Sequence, residues 1–111
     1  MAFEFGDVVL VPFPFTDQRT LKRSPAVIVS NVNYNLAKPD VVVMAVTSQF
    51  RPTAGLGEVW IEQWKDGGLL KPSAIKPVFA TLEQGLIVRQ LGKLVSADQV
   101  ALKKAISETI G

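Results

Sequence analysis

The chain has 111 residues and a formal net charge of +2, with 48% hydrophobic and 20% charged residues. This length suits one domain, residues 1–111, that builds its own core, and the composition excludes intrinsic disorder. Cysteine and histidine are absent, which excludes disulfides, thiolate metal sites and histidine acid–base catalysis. Because no membrane-length apolar run or signal peptide is recognisable, we expect a cytoplasmic protein.

Three short apolar runs rich in β-branched residues occupy the first half of the chain, at 8–11, 26–29 and 41–46. Turn-forming residues flank each run, which favours strands over helices. The runs are continuous rather than alternating, and this pattern predicts that both faces of each strand are covered. We therefore expect a closed or tightly packed β-structure.

Two polar segments, at 14–24 and 49–57, are predicted to be loops. The first is the most basic short window of the chain, with Arg19, Lys22 and Arg23 set against the single acid Asp17. The planar donor fork of arginine suits phosphate oxygens. The same charges also suit a solvated edge that only keeps the protein soluble.

The second half predicts further short strands at 58–61, 73–78 and 86–91, with turn signals at 66–68 and 84–85. Ser96 and Gln99 form a capping-box pattern ahead of apolar residues at helical spacing. The predicted fold is therefore mainly β: a small SH3-like barrel of about six strands with a C-terminal α-helix.

Thr47 and Ser48 directly follow the third apolar run, where the chain is expected to leave the core. Their hydroxyl groups are candidates for substrate contact, but they equally suit the backbone of a turn. Common enzyme motifs are absent, and the ten carboxylates are scattered, so we expect no metal and no cofactor. One reaction that needs neither is RNA cleavage by the 2′-hydroxyl of RNA itself, with arginine and hydroxyl donors stabilising the transition state.

Several segments of the chain resemble the MazF/PemK family of toxins, which are small RNA-cutting endoribonucleases. The similarity lies in GDVVLV from position 6, RSPAVIVS from position 23 and AVTSQ from position 45. GLLKPSAIK from position 68 and GKL from position 92 extend it over nearly the whole chain. The resemblance implies a MazF/CcdB-like barrel that forms a homodimer.

The resemblance also implies metal-independent, sequence-preferring cleavage of single-stranded RNA, and inhibition by an antitoxin whose acidic tail occupies the RNA groove. The family's threonine and serine fall on Thr47 and Ser48, while its arginine belongs immediately before Pro25. This chain has Ser24 there and Arg23 one position earlier. The predicted catalytic residues are Arg23, Thr47 and Ser48, and the predicted RNA-binding residues are Asp17, Arg19, Lys22, Ser24, Gln49 and Lys76.

Two departures from the family pattern keep other functions open. Besides Ser24, the chain has Lys76 and Pro77 where many members carry an acidic residue followed by glutamine. These differences fit a weak or inactive family member that acts as an antitoxin- or RNA-binding module, or a relative of the gyrase poisons. A third hypothesis is a structural interaction domain with an exposed aromatic patch, formed by Phe50, Trp60 and Trp64.

Overall fold

The computed structural model describes residues 2–13, 22–49 and 55–111. Within these residues the chain forms six strands, two α-helices and a 3-10 turn at Gln84–Leu86. The elements are β1 (Asp7–Phe13), β2 (Lys22–Ile28), α1 (Val32–Ala37), β3 (Asp40–Thr47), β4 (Val59–Trp60), β5 (Ala74–Glu83), β6 (Arg89–Lys93) and α2 (Ser96–Ile110).

The strands form one curled antiparallel sheet in the order β4-β5-β3-β2-β1-β6. β1 therefore lies between β2 and the last strand of the chain. The pairing of β1 with β6 joins residues that are far apart in the sequence, because Leu10 pairs with Arg89, 79 positions later. The observed half-barrel with a C-terminal helix confirms the predicted fold class.

Both faces of the sheet carry an apolar cluster, as the continuous apolar runs predicted. Val8 and Val27 belong to the cluster that also contains Leu102 of α2, whereas Val9 and Ala26 belong to the cluster on the opposite face. Neighbouring residues thus alternate between the faces, as the geometry of a strand requires. We call these the helix-side cluster and the far-side cluster.

The start of α2 differs from the predicted capping box. Val95 is the residue that precedes the helix, and it makes no side-chain capping bond. Gln99 instead donates from its side chain to the carbonyl of Leu94, with a distance of 2.8 Å. Asp98 is buried and accepts backbone hydrogen bonds from Glu62 and Gln63, at 3.1 and 3.0 Å. This carboxylate fastens the segment after β4 to the first turn of the helix.

β5 is longer than predicted, and its pairing with β3 shifts between Met44 and Val46. Met44 is opposite Phe79, but Val46 is opposite Ile75, so β5 contains two extra residues at this irregularity. Pro77 lies within it. A proline is tolerated there because it has no N–H to donate to the neighbouring strand.

The first residues of the chain are joined to β6 by an ionic contact. Lys93 forms an ion pair with Glu4, and its Nζ lies 3.6 Å from Oδ1 of the buried Asp7. The hydrogen bond to Glu4 and the charges of both carboxylates raise the pKa of Lys93, against the opposing effect of burial. Because Asp7 is paired with Lys93 in the register of β1 and β6, the contact supports this pairing. No helix among the described residues is long and apolar enough to cross a membrane.

Candidate functional site

An open cleft of about 670 Å³ lies where the sheet meets the segment between β4 and β5. Its floor is apolar and contains Val46 and Leu69 from the helix-side cluster. Five residues with hydroxyl or amide side chains and two with cationic side chains line the rest, together with small or apolar residues. The polar and charged lining residues are Ser24, Thr47, Ser48, Gln49, Ser73, Lys71 and Arg89.

The pairing of three strands sets the width of the cleft. Leu10 of β1 pairs with Pro25 of β2 on one side and with Arg89 of β6 on the other. Directly paired residues of antiparallel strands project to the same face, so these three residues form one row across the sheet. All three line the cleft. The end of β3 continues the wall through Val46 and Thr47.

A close contact between glycines holds the cleft's other wall against β6. A side chain at Gly92 would place its Cβ only 2.4 Å from the backbone oxygen of Gly67. Gly68 has a φ of +92°, and a Cβ there would lie 2.2 Å from the backbone oxygen of Leu91. Only glycine permits this approach. The contact sets the position of the residues that follow, including Lys71.

The hydroxyl groups of Thr47 and Ser48 differ in their hydrogen bonds. The Oγ1 of Thr47 accepts a hydrogen bond from the backbone N–H of Gln49 at 3.0 Å and donates to the carbonyl of the same residue at 3.1 Å. These bonds close the turn after β3, as the structural interpretation of Thr47 predicted. Ser48 is exposed, and its hydroxyl has no hydrogen-bond partner among the described residues. Its hydroxyl is therefore available to a ligand.

The lining residues make the cleft electropositive. Lys71 and Arg89 are exposed, and neither side chain forms an ion pair or hydrogen bond within the described parts of the chain. No aspartate or glutamate is among the residues that line the cleft. Two unneutralised cations beside several hydroxyl and amide groups form a surface suited to an anionic, hydrogen-bonding ligand such as a phosphodiester.

The structure brings four of the predicted site residues together: Ser24, Thr47, Ser48 and Gln49 all line the cleft. Arg23 and Ser24 lie within β2, not in the loop predicted at 14–24. Because neighbouring strand residues project to opposite faces, Arg23 projects to the face of Pro25, whereas a side chain at position 24, which pairs with Val11, projects to the other face. Arg23 is exposed and is not among the lining residues.

The remaining predicted residues lie elsewhere or outside the described residues. Lys76 is half-buried at the irregularity of β5 and does not line the cleft. Asp17, Arg19 and Phe50 lie outside the described residues, as does the side chain of Lys22. Of the predicted aromatic patch, Trp64 packs against the helix-side cluster, and 36% of the surface of Trp60 is exposed.

Sequence reasoning missed two cationic residues of the cleft, Lys71 and Arg89. Arg89 follows Thr47 by more than 40 residues and lies in a segment that was predicted only as a strand. Its place in the site depends on the pairing of β6 with β1, which no local pattern encodes. The signal for Lys71 was its location in the family-like segment that begins at Gly68.

Comparison with solved structures finds the same fold in several toxins. An endoribonuclease from a mycobacterial species, solved with its cognate antitoxin, has a TM-score of 0.81 and 21% identity, covering 99% of this chain and 96% of its own. Mycobacterium tuberculosis toxin MazF-mt6 has a TM-score of 0.76 and 21% identity, with coverages of 94% and 95%. MazF from Deinococcus radiodurans has a TM-score of 0.75 and 18% identity, with coverages of 100% and 98%.

The search of curated proteins finds no match to this chain. A family model, however, matches residues 4–110, which is nearly the full length. That model describes the PemK-like, MazF-like toxins of type II toxin–antitoxin systems. Its extent agrees with the sequence resemblance noted above and with the shared fold. The chain therefore belongs to the PemK-like, MazF-like toxin family of type II toxin–antitoxin systems.

Proposed function

We propose that this toxin is an endoribonuclease that cuts single-stranded RNA at preferred sequences without a metal ion. The observation that carries the proposal is the electropositive cleft at the end of β3, where hydroxyl and amide groups meet two cations with no carboxylate among the lining residues. A phosphodiester matches both the charge and the hydrogen-bonding groups. Single-stranded RNA fits the proposal because its bases are accessible for sequence preference.

In the proposed reaction the RNA supplies its own nucleophile. The 2′-oxygen attacks the adjacent phosphorus, a bond from phosphorus to the 2′-oxygen forms, and the bond to the 5′-oxygen breaks. The 2′-hydroxyl gives up its proton and the leaving 5′-oxygen gains one, both by exchange with water. The products are a 2′,3′-cyclic phosphate and a 5′-hydroxyl. The protein must hold the attacking and leaving oxygens in line and stabilise the charge that develops on the phosphorane.

The hydroxyl groups of Thr47 and Ser48 are the proposed donors to the phosphate. Ser48 can donate without giving up a bond to any described residue, whereas Thr47 must exchange its bond to the carbonyl of Gln49 for one to the ligand. While donating to phosphate, Thr47 still accepts from the N–H of Gln49. The side chain of Gln49 is exposed on the cleft and is proposed to contact a base or a phosphate.

Arg23 keeps a proposed role at the edge of this site. The pairing of β2 with β3 includes Ala26 opposite Ala45. Continuing that register brings position 23 level with Ser48, so the exposed Arg23 side chain can reach RNA that leaves the cleft. Ser24 is among the residues that line the cleft. Lys76, Asp17, Arg19 and Lys22 are proposed to extend the RNA contact beyond the cleft.

The proposed partners follow the family. The protein would act in the cytoplasm as a homodimer, and an antitoxin would inhibit it by placing an acidic tail in the same cleft. Carboxylates of such a tail would pair with Lys71 and Arg89, the two cations of the lining that lack an ionic partner among the described residues. Antitoxin and RNA would then compete for one site.

The test is to incubate the purified protein with a long single-stranded RNA in the presence of EDTA. We expect discrete fragments whose ends map to one short sequence motif. The same RNA annealed to its complement is the control, and we expect it to resist cleavage. Intact single-stranded RNA after prolonged incubation would contradict the proposal.

A binding module that does not cut RNA is the second candidate. The observation that favours it is Ser24, which stands where the family pattern places an arginine, together with Arg23 lying outside the cleft lining. Such a protein would bind RNA or an antitoxin in the cleft and leave RNA intact. A Ser24→Arg variant that cuts RNA when the parent does not would support this alternative, as would a gyrase-dependent toxicity without RNA cleavage.

A further inference from the structure

The cleft contains a guanidinium group that sequence reasoning missed. Arg89 lies at the start of β6 and lines the cleft together with Thr47 and Ser48. We propose that Arg89 is a catalytic residue, and that its guanidinium stabilises the negative charge of the phosphorane in the role that the family pattern gives to an arginine before Pro25. This inference rests on the proposed RNA-cutting function.

The register of the sheet places Arg89 in one row with Pro25, the residue that directly follows the position lacking an arginine. Leu10 pairs with both Pro25 and Arg89, so Arg89 is the second neighbour of Pro25 across β1 and projects to the same face. Adjacent strands are about 4.8 Å apart, which puts the two backbones about 10 Å apart. An arginine side chain is long enough to cover most of that distance. The end of β3 lies one strand beyond β2, about 14 Å from β6 by the same spacing, so a guanidinium from β6 and hydroxyl groups from β3 can meet at a phosphate held between them.

The surroundings of Arg89 leave its donors available. The side chain is exposed, and within the described parts of the chain it has neither an ion pair nor a hydrogen bond. An unpaired guanidinium can donate two parallel hydrogen bonds to phosphate oxygens, and these charge-assisted bonds strengthen as negative charge accumulates. Lys71 is the other cation of the lining, and its ammonium group cannot donate two parallel hydrogen bonds as a guanidinium can. We therefore assign Lys71 to RNA binding.

The choice of Arg89 over Arg23 follows from their positions. Arg23 is exposed on β2 but is not among the residues that line the cleft, whereas Arg89 is. Transition-state stabilisation requires a donor that is already aimed at the reacting phosphate. Arg23 is therefore assigned to the flanking RNA, where its removal weakens binding more than chemistry.

The experiment compares Arg89→Ala, Arg23→Ala and Lys104→Ala with the wild-type toxin. Lys104 is exposed on α2 and does not line the cleft, so its variant controls for the loss of one positive charge. Single-turnover cleavage is measured on an oligoribonucleotide that contains the mapped cut site. Affinity is measured on the same oligonucleotide with a 2′-O-methyl group at the attacking nucleotide, which blocks cleavage.

We expect Arg89→Ala to lower the single-turnover rate about 100-fold, with a much smaller loss of affinity for the 2′-O-methyl probe. Arg23→Ala should lose less rate than Arg89→Ala, and Lys104→Ala should match wild type. The inference is overturned if Arg89→Ala cuts at nearly the wild-type rate, if its rate and affinity fall equally, or if Arg23→Ala shows the larger loss. Intact RNA with the wild-type protein would instead show that the proposed function itself is wrong.

Discussion

At the scale of single residues, the two adjacent hydroxyls after β3 have different tasks. Thr47 uses its hydroxyl to close the turn through both backbone groups of Gln49. Ser48 is exposed and makes no comparable bond among the described residues. From sequence alone both residues carried the same two interpretations, structural and functional. The geometry gives Thr47 a structural role in the turn and leaves the hydroxyl of Ser48 available to a ligand.

This difference predicts that two substitutions, both of which lower activity, differ in their effect on stability. Ser48→Ala should lower the cleavage rate by roughly 100-fold, as expected for the loss of one preorganised donor, and leave the free energy of unfolding unchanged. Thr47→Val should lower activity and also destabilise the fold by about 1 kcal/mol, because the turn loses its side-chain hydrogen bonds. Urea unfolding and single-turnover cleavage measure the two effects.

Thr47→Ser is the matched control, because it keeps the hydroxyl that closes the turn. We expect it to retain most of the stability and a substantial part of the activity. A Ser48→Ala variant that unfolds more easily than wild type but cuts RNA normally would reverse the assignment of the two residues.

At the scale of elements, the cleft depends on how closely β6 approaches the segment at 67–68. Gly92 and Gly68 allow the two backbones to meet, since a Cβ on either would collide with a carbonyl oxygen. Asp98 fixes the start of the segment between β4 and β5 by accepting from Glu62 and Gln63. This segment is therefore held at 62–63 and at 67–68, ahead of Lys71.

A Gly92→Ala variant tests whether the close backbone contact stabilises the fold, as distinct from the general effect of replacing a glycine. Gly92→Ala is expected to destabilise the protein by about 1–3 kcal/mol, because its Cβ would lie 2.4 Å from the oxygen of Gly67 and the backbone must move. Gly85→Ala is the matched control: a Cβ there has no neighbour within 4 Å. Thermal unfolding with calorimetry measures both. Equal stability of the two variants would show that the close contact does not constrain the fold.

Local patterns predicted most elements but not their full extents. The runs at 26–29 and 41–46 correctly marked β2 and β3, although β2 already begins at Lys22. The helix Val32–Ala37 was missed because six residues, with little apolar periodicity, carry almost no helical signal. The local sequence signal for this helix is its N-cap residue Asn31, whose side chain accepts a hydrogen bond from the N–H of Tyr34 at 2.9 Å.

At the scale of the whole molecule, the sequence predicted the fold more fully than the site. Continuous apolar runs predicted a sheet covered on both faces, and Val8 and Val9 do belong to clusters on opposite faces. The site combines residues from β2, β3, β6 and the segment before β5, and only the pairing order of the sheet joins them. Arg89 could not be recognised as a site residue before β6 was known to pair with β1.

We propose that the RNA's own 2′-hydroxyl performs the attack, in a cleft whose polar lining residues carry hydroxyl, amide and cationic groups. The most direct measurement uses two oligonucleotides with the mapped cut site, one all RNA and one with a single 2′-deoxy substitution at the attacking nucleotide. We predict that the RNA yields a 2′,3′-cyclic phosphate and a 5′-hydroxyl by mass spectrometry, with EDTA present, and that the deoxy oligonucleotide stays intact. Cleavage of the deoxy oligonucleotide at the same bond, or products with a 5′-phosphate, would show that the 2′-hydroxyl is not the nucleophile.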